Sequence, residues 1–595
     1  MQERVLLSLF LLQVILAGLP LVLSAAGQGL QYEVNFVGIQ DEDLLDELRA
    51  VARSIEYQER YPATQALLER RVEGDVSRFR GIMQSHGYFG AEITCDLIPD
   101  ERPIQVVYRI KPGPVYQLTH VDFGLVRSAS KAVISLPRPH EVGLEVNQAA
   151  LPDEIISAQQ QLLLNVREQG YPFPEMADRK VIVDHATQTV QANFIVNPAT
   201  RAVFGPITVE GLETVDEQFV LNRVQWERGE LFNTQVIEET QEELVKSNLF
   251  SVVRVNFNHQ INEQGELPIT ILLTERKHRT IGAGISYYTD EGVGGRVSWE
   301  NRNLQGKGER LSVEGMASFI EFAGEVAYRK PDFLRRDQSL LLNTRIAYDD
   351  PKPYTSRNFS TSALVERILN EEMRLSAGVS YRIANITQLN TNRDFGLLSL
   401  PVRYEWDHSD DLLNPTEGFR WMAEVEPFYD TFGGVDFFFK GYTRYSHYYR
   451  ILDDPMVVLA GLVGFGSITG GSLFELPADE RFYAGGGGSI RGYEYQTVSP
   501  LIGDHPVGGR SILELSLELR WNLTRTIGLV TFLDGGTAFV EQIPDFDETI
   551  RWGTGIGFRY FTPIGPLRFD IGFPINPRDD IDSLFQLYIS IGQAF

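Results

Sequence analysis

The chain has 595 residues, too many for one compact hydrophobic core and enough for several domains. Its formal net charge of −26 excludes a nucleic-acid-binding surface as its main business, because that needs clustered positive charge. A single cysteine, Cys95, excludes an internal disulfide framework and reads as a small buried hydrophobe in a strand.

The chain opens with Met1-Gln2-Glu3-Arg4 and an apolar stretch from Val5 to Leu23, followed by small residues at Ser24, Ala25, Ala26 and Gly27. This pattern predicts a secretory signal peptide over residues 1–26, cleaved near Ala26; an uncleaved anchor helix is the alternative, and Pro20 speaks against it. Beyond Leu23 no apolar run approaches the roughly 18 residues that a membrane helix needs. An exported chain of that kind is either water-soluble or a β-barrel, the other structure that satisfies its backbone in lipid.

Residues 28–276 mix helical and strand patterns and repeat with a spacing of about 80 residues. Each unit has an aromatic landmark: Gly87-Tyr88-Phe89, Gly170-Tyr171-Pro172-Phe173 and Asn248-Leu249-Phe250. An amphipathic helix precedes each, with stripes at Leu68, Val72, Phe79 and Met83, at Ile155, Leu162 and Val166, and at Val236, Thr240 and Leu244, the last capped by Asn233. Strands follow at Ile104–Ile110, Val190–Val196 and Leu267–Leu273. The units therefore read as three α+β modules over residues 28–113, 114–200 and 201–276. Their small sheets have open edges that suit recognition of an extended peptide; a spacer role is the alternative.

From residue 277 the pattern is strand and turn. Leu513, Leu515, Leu517, Leu519 and Trp521 interleave with Glu514, Ser516, Glu518 and Arg520, and Leu567, Phe569, Ile571 and Phe573 with Arg568, Asp570 and Gly572. The charged parity suits a hydrated lumen and the apolar parity lipid. Five of the six tryptophans lie in this half, as interfacial girdles would place them. At roughly 20 residues per tilted strand and connection, residues 277–595 hold about sixteen antiparallel strands, with fourteen and eighteen left open by counting. The final segment, Phe585 to Phe595, alternates as a closing strand.

The order Ile207–Thr214, Arg228–Asn233, Leu249-Phe250 resembles POTRA domains, the periplasmic modules of outer-membrane assembly proteins. Gly485–Gly488 followed by Ser489-Ile490-Arg491-Gly492-Tyr493 resembles the tip of the sixth extracellular loop in POTRA-plus-barrel transporters, and Phe532-Leu533-Asp534-Gly535-Gly536 its acidic partner strand. The resemblance implies that Arg491, Gly492 and Tyr493 dock inside the lumen with Arg491 on Asp534; a solvated loop arginine is the alternative. Residues 407–418 and 555–570 resemble two further hairpins of that family, so Asp407 and Asp411 read as turn residues and not as a metal site. Phe595 resembles the signal by which barrels are themselves inserted.

With three modules before one barrel, the chain resembles the TamA branch of the POTRA-plus-barrel assembly factors, a superfamily that includes BamA. That resemblance implies outer-membrane protein assembly or secretion, autotransporters among the clients, unfolded outer-membrane proteins and outer-membrane lipid as partners, a TamB-like inner-membrane-anchored protein docking on the modules, and no cofactor. A two-partner-secretion-type export pore or passive channel is the alternative. Closure of the barrel must join the segment around Gly282 and Gly284 to the segment ending in Gly592 and Phe595; these glycines pack little, so this seam is expected to be the weakest. The nine histidines are scattered, there is no Gly-x-Ser-x-Gly elbow, and an enzyme is not expected.

Overall fold

The computed structural model describes residues 29–99, 101–127, 134–257, 260–289, 291–563 and 565–595; the expected signal peptide lies outside them. The chain forms two compact units, one of residues up to 208 with 225–239 and 255–270, the other of 209–224, 240–254 and 271–595.

The repeat seen in the sequence is a repeat of three-stranded sheets. In the first, Ile104–Lys111 lies between Tyr32–Val37, parallel to it, and Glu92–Ile98, antiparallel. In the second, Thr189–Asn197 lies between Gln117–Leu125 and Glu175–Asp184 with the same two senses. In the third, Glu266–Glu275 lies between Val203–Glu210 and Phe250–Phe257. The central strands alternate because one face meets a helix: Val106, Tyr108 and Ile110 share a core with Leu68, Val72, Phe79 and Met83 of the helix Gln65–Ser85. Cys95 is half-buried at the margin of that core, and its thiol is pushed up to about 12 by burial and by Asp96. In the third helix, Thr234–Lys246, the buried stripe is Ile237, Thr240 and Leu244, one position off the expected Val236, and Asn233 caps it by accepting from Gln235 N at 2.9 Å.

Each landmark has a geometric reason. Gly87, Gly170 and Asn248 stand two residues past the ends of the helices Gln65–Ser85, Pro152–Glu168 and Thr234–Lys246, and all have positive φ (83°, 97° and 62°). A left-handed residue here ends the helix and turns the chain toward the next strand, which glycine and asparagine tolerate.

The second unit contains a closed barrel running from Arg279–Tyr288 to Gln586–Ile591. It comprises sixteen antiparallel staves, one of them interrupted: Thr391–Ser399 and Val402–Asp407 both lie between Met373–Gln388 and Gly418–Asp430, and the pairings Ser380↔Ser399 and Ala377↔Val402 keep one register. Pro401 lacks an N–H and breaks the ladder without shifting it. The alternation is obeyed: Leu517, Leu519 and Trp521 face outward, while Glu518 and Arg520 are buried inside.

The third module's residues in this unit form a joint with the first inner turn of the barrel. Glu275 accepts from the N–H groups of Glu213, Thr214 and Val215 (2.8–2.9 Å) and from Thr214 Oγ1 (2.6 Å), and His278 Nε2 lies 3.0 Å from its other oxygen. Asp216 N donates to Gly306 O at 2.8 Å. Burial opposes charge on Glu275, but the Thr214 hydroxyl and the backbone donors outweigh it and hold its carboxyl down at about 2.

The expected closing strand is shorter than its alternation suggests. It ends at Ile591; Gly592, at φ 95°, donates its N–H to Pro566 O at 2.8 Å and turns the chain inward. Phe595 therefore leaves the lipid-facing row and packs beside Tyr448, its carbonyl accepting from Arg520 at 3.1 Å.

Candidate functional site: a lumen lock beside an open seam

Four outer hairpin connections precede the turn at 431–436, so the connection over residues 470–510 is the sixth on that end. It folds into the lumen. Its tip places Arg491 among three strands: Ser511–Asn522, Ile527–Phe539 and Gly565–Pro574. Arg491 Nε and Nη2 grip both oxygens of Asp534 at 2.7 and 2.9 Å, and its backbone N–H reaches the same carboxylate at 3.1 Å. Nη1 donates to Glu518 at 2.6 Å and to Asp570 at 3.1 Å, and the guanidinium lies 3.5 Å from the ring centre of Phe532. A planar fork with five donors is the side chain that can meet three carboxylates and an aromatic face at once.

The lock is larger than one pair. Arg520 holds the second oxygen of Glu518 at 2.8 Å; Arg568 (2.6 Å) and Arg559 both hold Asp570. Arg491 and the three carboxylates are at most 3 % exposed. Charges so dry persist because each is paired and hydrogen-bonded.

Two wall glycines make the docking possible. A Cβ on Gly553 would stand 1.9 Å from Arg491 O, and one on Gly572 would stand 2.7 Å from Gly492 N. Gly492 itself has φ 102° and donates to the Tyr588 hydroxyl at 3.1 Å. The fully buried Tyr493 places its hydroxyl 3.1 Å from Trp552 O and 3.0 Å from Asn576 Oδ1. Thus Arg491, Gly492, Tyr493 and Asp534 come together in one place. Glu518, Asp570, Arg559 and Arg568 complete it. Their inward parity was visible in the sequence, but nothing there says which lumen charges converge. Tyr588 carried no signal beyond its parity.

The lock touches the closing strand through Tyr588, whose own hold on the first strand is slight. Arg279–Tyr288 pairs with Gly292–Asn301 along ten residues, but with Gln586–Ile591 at Tyr287↔Ile589 and Tyr288↔Tyr588 alone. Thr289 adds N–H to Leu587 O at 3.1 Å and accepts from Leu587 N on its hydroxyl at 2.9 Å. Gly282 and Gly284 lie on the first strand below this contact, while Gly592 and Phe595 have turned away, so the four seam residues do not face one another. The reason is the bend at Gly592. What remains is an unpaired strand edge from Arg279 to Ser286, with Ile281 79 % and Ile285 87 % exposed.

Asp407, Asp410 and Asp411 serve backbone turns: Asp407 accepts from Ser409 N, Asp411 from Leu413 N and Asn414 N, and Asp410 from Thr416 N. Among the described residues no cluster of metal-ligating side chains occurs.

Residues 303–595 match the Omp85 superfamily domain, and residues 202–276 match the POTRA family described as surface antigen variable number repeat. The chain is 23 % identical over 560 residues to the outer membrane protein assembly factor BamA of Nitratidesulfovibrio vulgaris, covering 90 % of this chain and 69 % of that one. It is 20 % identical over 487 residues to BamA of Neisseria meningitidis serogroup B, covering 72 % and 60 %. The latter relative is thus spanned over less than two thirds of its length. In fold, the chain is similar to the crystal structure of BamA from Haemophilus ducreyi lacking POTRA domains 1–3, with a TM-score of 0.67, 18 % identity, and coverage of 80 % of this chain and 99 % of that one. With POTRA architecture leading into this barrel, the chain belongs to the Omp85 superfamily, an outer-membrane barrel with its modules on the periplasmic side.

Proposed function

We propose that the protein assembles β-barrel proteins into the outer membrane, without enzymatic chemistry, by lending the edge of its first strand to an incoming strand. One observation carries this reading: ten residue pairs on one side of Arg279–Tyr288 against two on the other. An unpaired backbone edge facing lipid is costly, because no water satisfies it. A substrate strand adding antiparallel to Arg279–Ser286 removes that cost and receives a template in return. The BamA relatives, described as outer membrane protein assembly factors, support the same reading.

A passive channel fits less well. The outer half of the lumen is filled by a dry cluster in which Leu476, Phe482, Ile490 and Tyr493 of the loop pack against Phe395, Phe438 and Ile512 of the wall. We extend the proposal to autotransporters as clients and to a TamB-like inner-membrane-anchored partner. The exposed outer strand Glu175–Asp184 of the second module supports a docking role, since both its faces are largely open.

Cysteines at Tyr287 and Ile589, in a Cys95→Ala background, test the seam. Oxidised protein in liposomes is expected to stop inserting substrate barrels and to recover on reduction. Insertion at the wild-type rate by the oxidised form would remove the proposal.

A further inference from the structure

Two clusters of charge are among the contacts that fasten the sixth outer loop to the wall. Besides Arg491, it carries Asp479 and Glu480 on the short turn Ala478–Glu480. Asp479 meets Arg382 at 3.1 Å and accepts from Ser356 Oγ at 2.9 Å; Glu480 meets Arg382 at 2.8 Å and Lys440 at 2.9 Å. These partners stand on Thr355–Ile368, Met373–Gln388 and Phe437–Asp453, the sixth, seventh and tenth staves. The carboxylates of the Arg491 lock stand on the twelfth, thirteenth and fifteenth. The loop therefore crosses from one stretch of wall to another.

The two fastenings have opposite polarity. At one the loop supplies the cation and the wall the anions; at the other the loop supplies the anions and the wall the cations. Exchange of partners would set like charges together, so each end of the loop recognises its own wall. They also differ in hydration. The Arg491 side chain is 2 % exposed and its carboxylates 0 %, whereas Arg382 is 20 %, Lys440 25 %, Glu480 12 % and Asp479 5 % exposed. Attraction between charges weakens as water enters, so the pairs that Glu480 makes with Arg382 and Lys440 part more readily than those of Arg491.

We propose that the loop is a strap with one permanent and one releasable fastening. Release of Asp479 and Glu480 from Arg382 and Lys440, together with parting of Leu476 and Phe482 from the wall cluster and of Arg481 from Gln388, lifts residues 473–483 off the wall and opens the outer half of the lumen, while Arg491 stays seated. This motion is separate from opening of the seam.

Glu480→Lys in the full-length protein, recorded in planar bilayers, tests it. The unitary current is expected to rise several-fold, and adding Lys440→Glu to return it to the wild-type level, with the heat resistance of the barrel unchanged in both. A current unaffected by Glu480→Lys, or one that the double variant leaves raised in a normally heat-resistant barrel, overturns the proposal. Because charge reversal can prevent folding, hydrogen exchange in the unmodified protein gives a second reading. Residues 473–483 are expected to exchange faster than 485–493, and equal rates overturn the proposal. The Tyr287–Ile589 cross-link is expected to leave the current unchanged, which separates this failure from failure of the seam.

Discussion

The lumen lock and the seam are neighbours joined through Tyr588, yet they are built on opposite economies. The lock gathers four arginines and three carboxylates out of water and pairs all of them. The seam joins two strands by two residue pairs and the backbone and side chain of one threonine. Their contrast shows how a barrel can have a sparsely paired joint without being a weak barrel: on the closing side of the joint the last strand is held from inside through Tyr588.

Removing the centre of the lock has the largest expected effect. Arg491→Ala leaves Asp534 without its bidentate partner and should cost about 3–5 kcal/mol, the range for a broken buried ion pair. It is read as a lower temperature for loss of the compact barrel on gels. Ile589→Ala, on the seam, should lower that temperature far less; equal losses would erase the contrast.

The joint at Glu275 is a third region, tight, with the Glu275 side chain 6 % and that of His278 12 % exposed. Its carboxyl is held at about 2 when folded, below the 4.5 of an ordinary glutamate. The stabilisation is present above pH 4.5 and is lost as pH falls through the folded value near 2. Discounted for solvent screening it is worth about 2 kcal/mol. Glu275→Gln should flatten the acid dependence of unfolding between those limits and leave stability at neutral pH lower. A parallel acid profile in the variant would place the titration elsewhere.

The smallest effect is expected at Asn248. With φ at 62°, Asn248→Ala should cost about 1 kcal/mol and Asn248→Gly nearly nothing, measured by chemical denaturation. An equal cost for both would mean that the side chain and not the backbone matters there.

Much of this was legible in the sequence. Periodicity marked the central strand of every module and the lumen-facing parity of Glu518, Arg520, Arg568 and Asp570, because a period of two is a local property. The Arg491 and Asp534 motifs could be linked by resemblance, and they meet in the lumen. The course of the last residues could not be read in the same way: Phe595 continues the alternation of Ile589 and Ile591, and a single left-handed glycine overrides it. Nor could the second fastening, since the spacing from Asp479 to Arg382 is set by barrel closure and leaves no trace along the chain. The stripe in the third helix was misread by one position, Val236 for Ile237, because two adjacent β-branched residues fit the same period.

The wall glycines have a consequence for biogenesis. Gly553 and Gly572 form the seat of the loop tip once their two strands are paired, and Asp534 and Asp570 point into the lumen from the neighbouring positions of the same wall. A slip of one residue would turn those carboxylates toward lipid and put Ile571 where Gly572 should be. A wall slipped by one residue would thus offer the tip neither its seat nor its carboxylates.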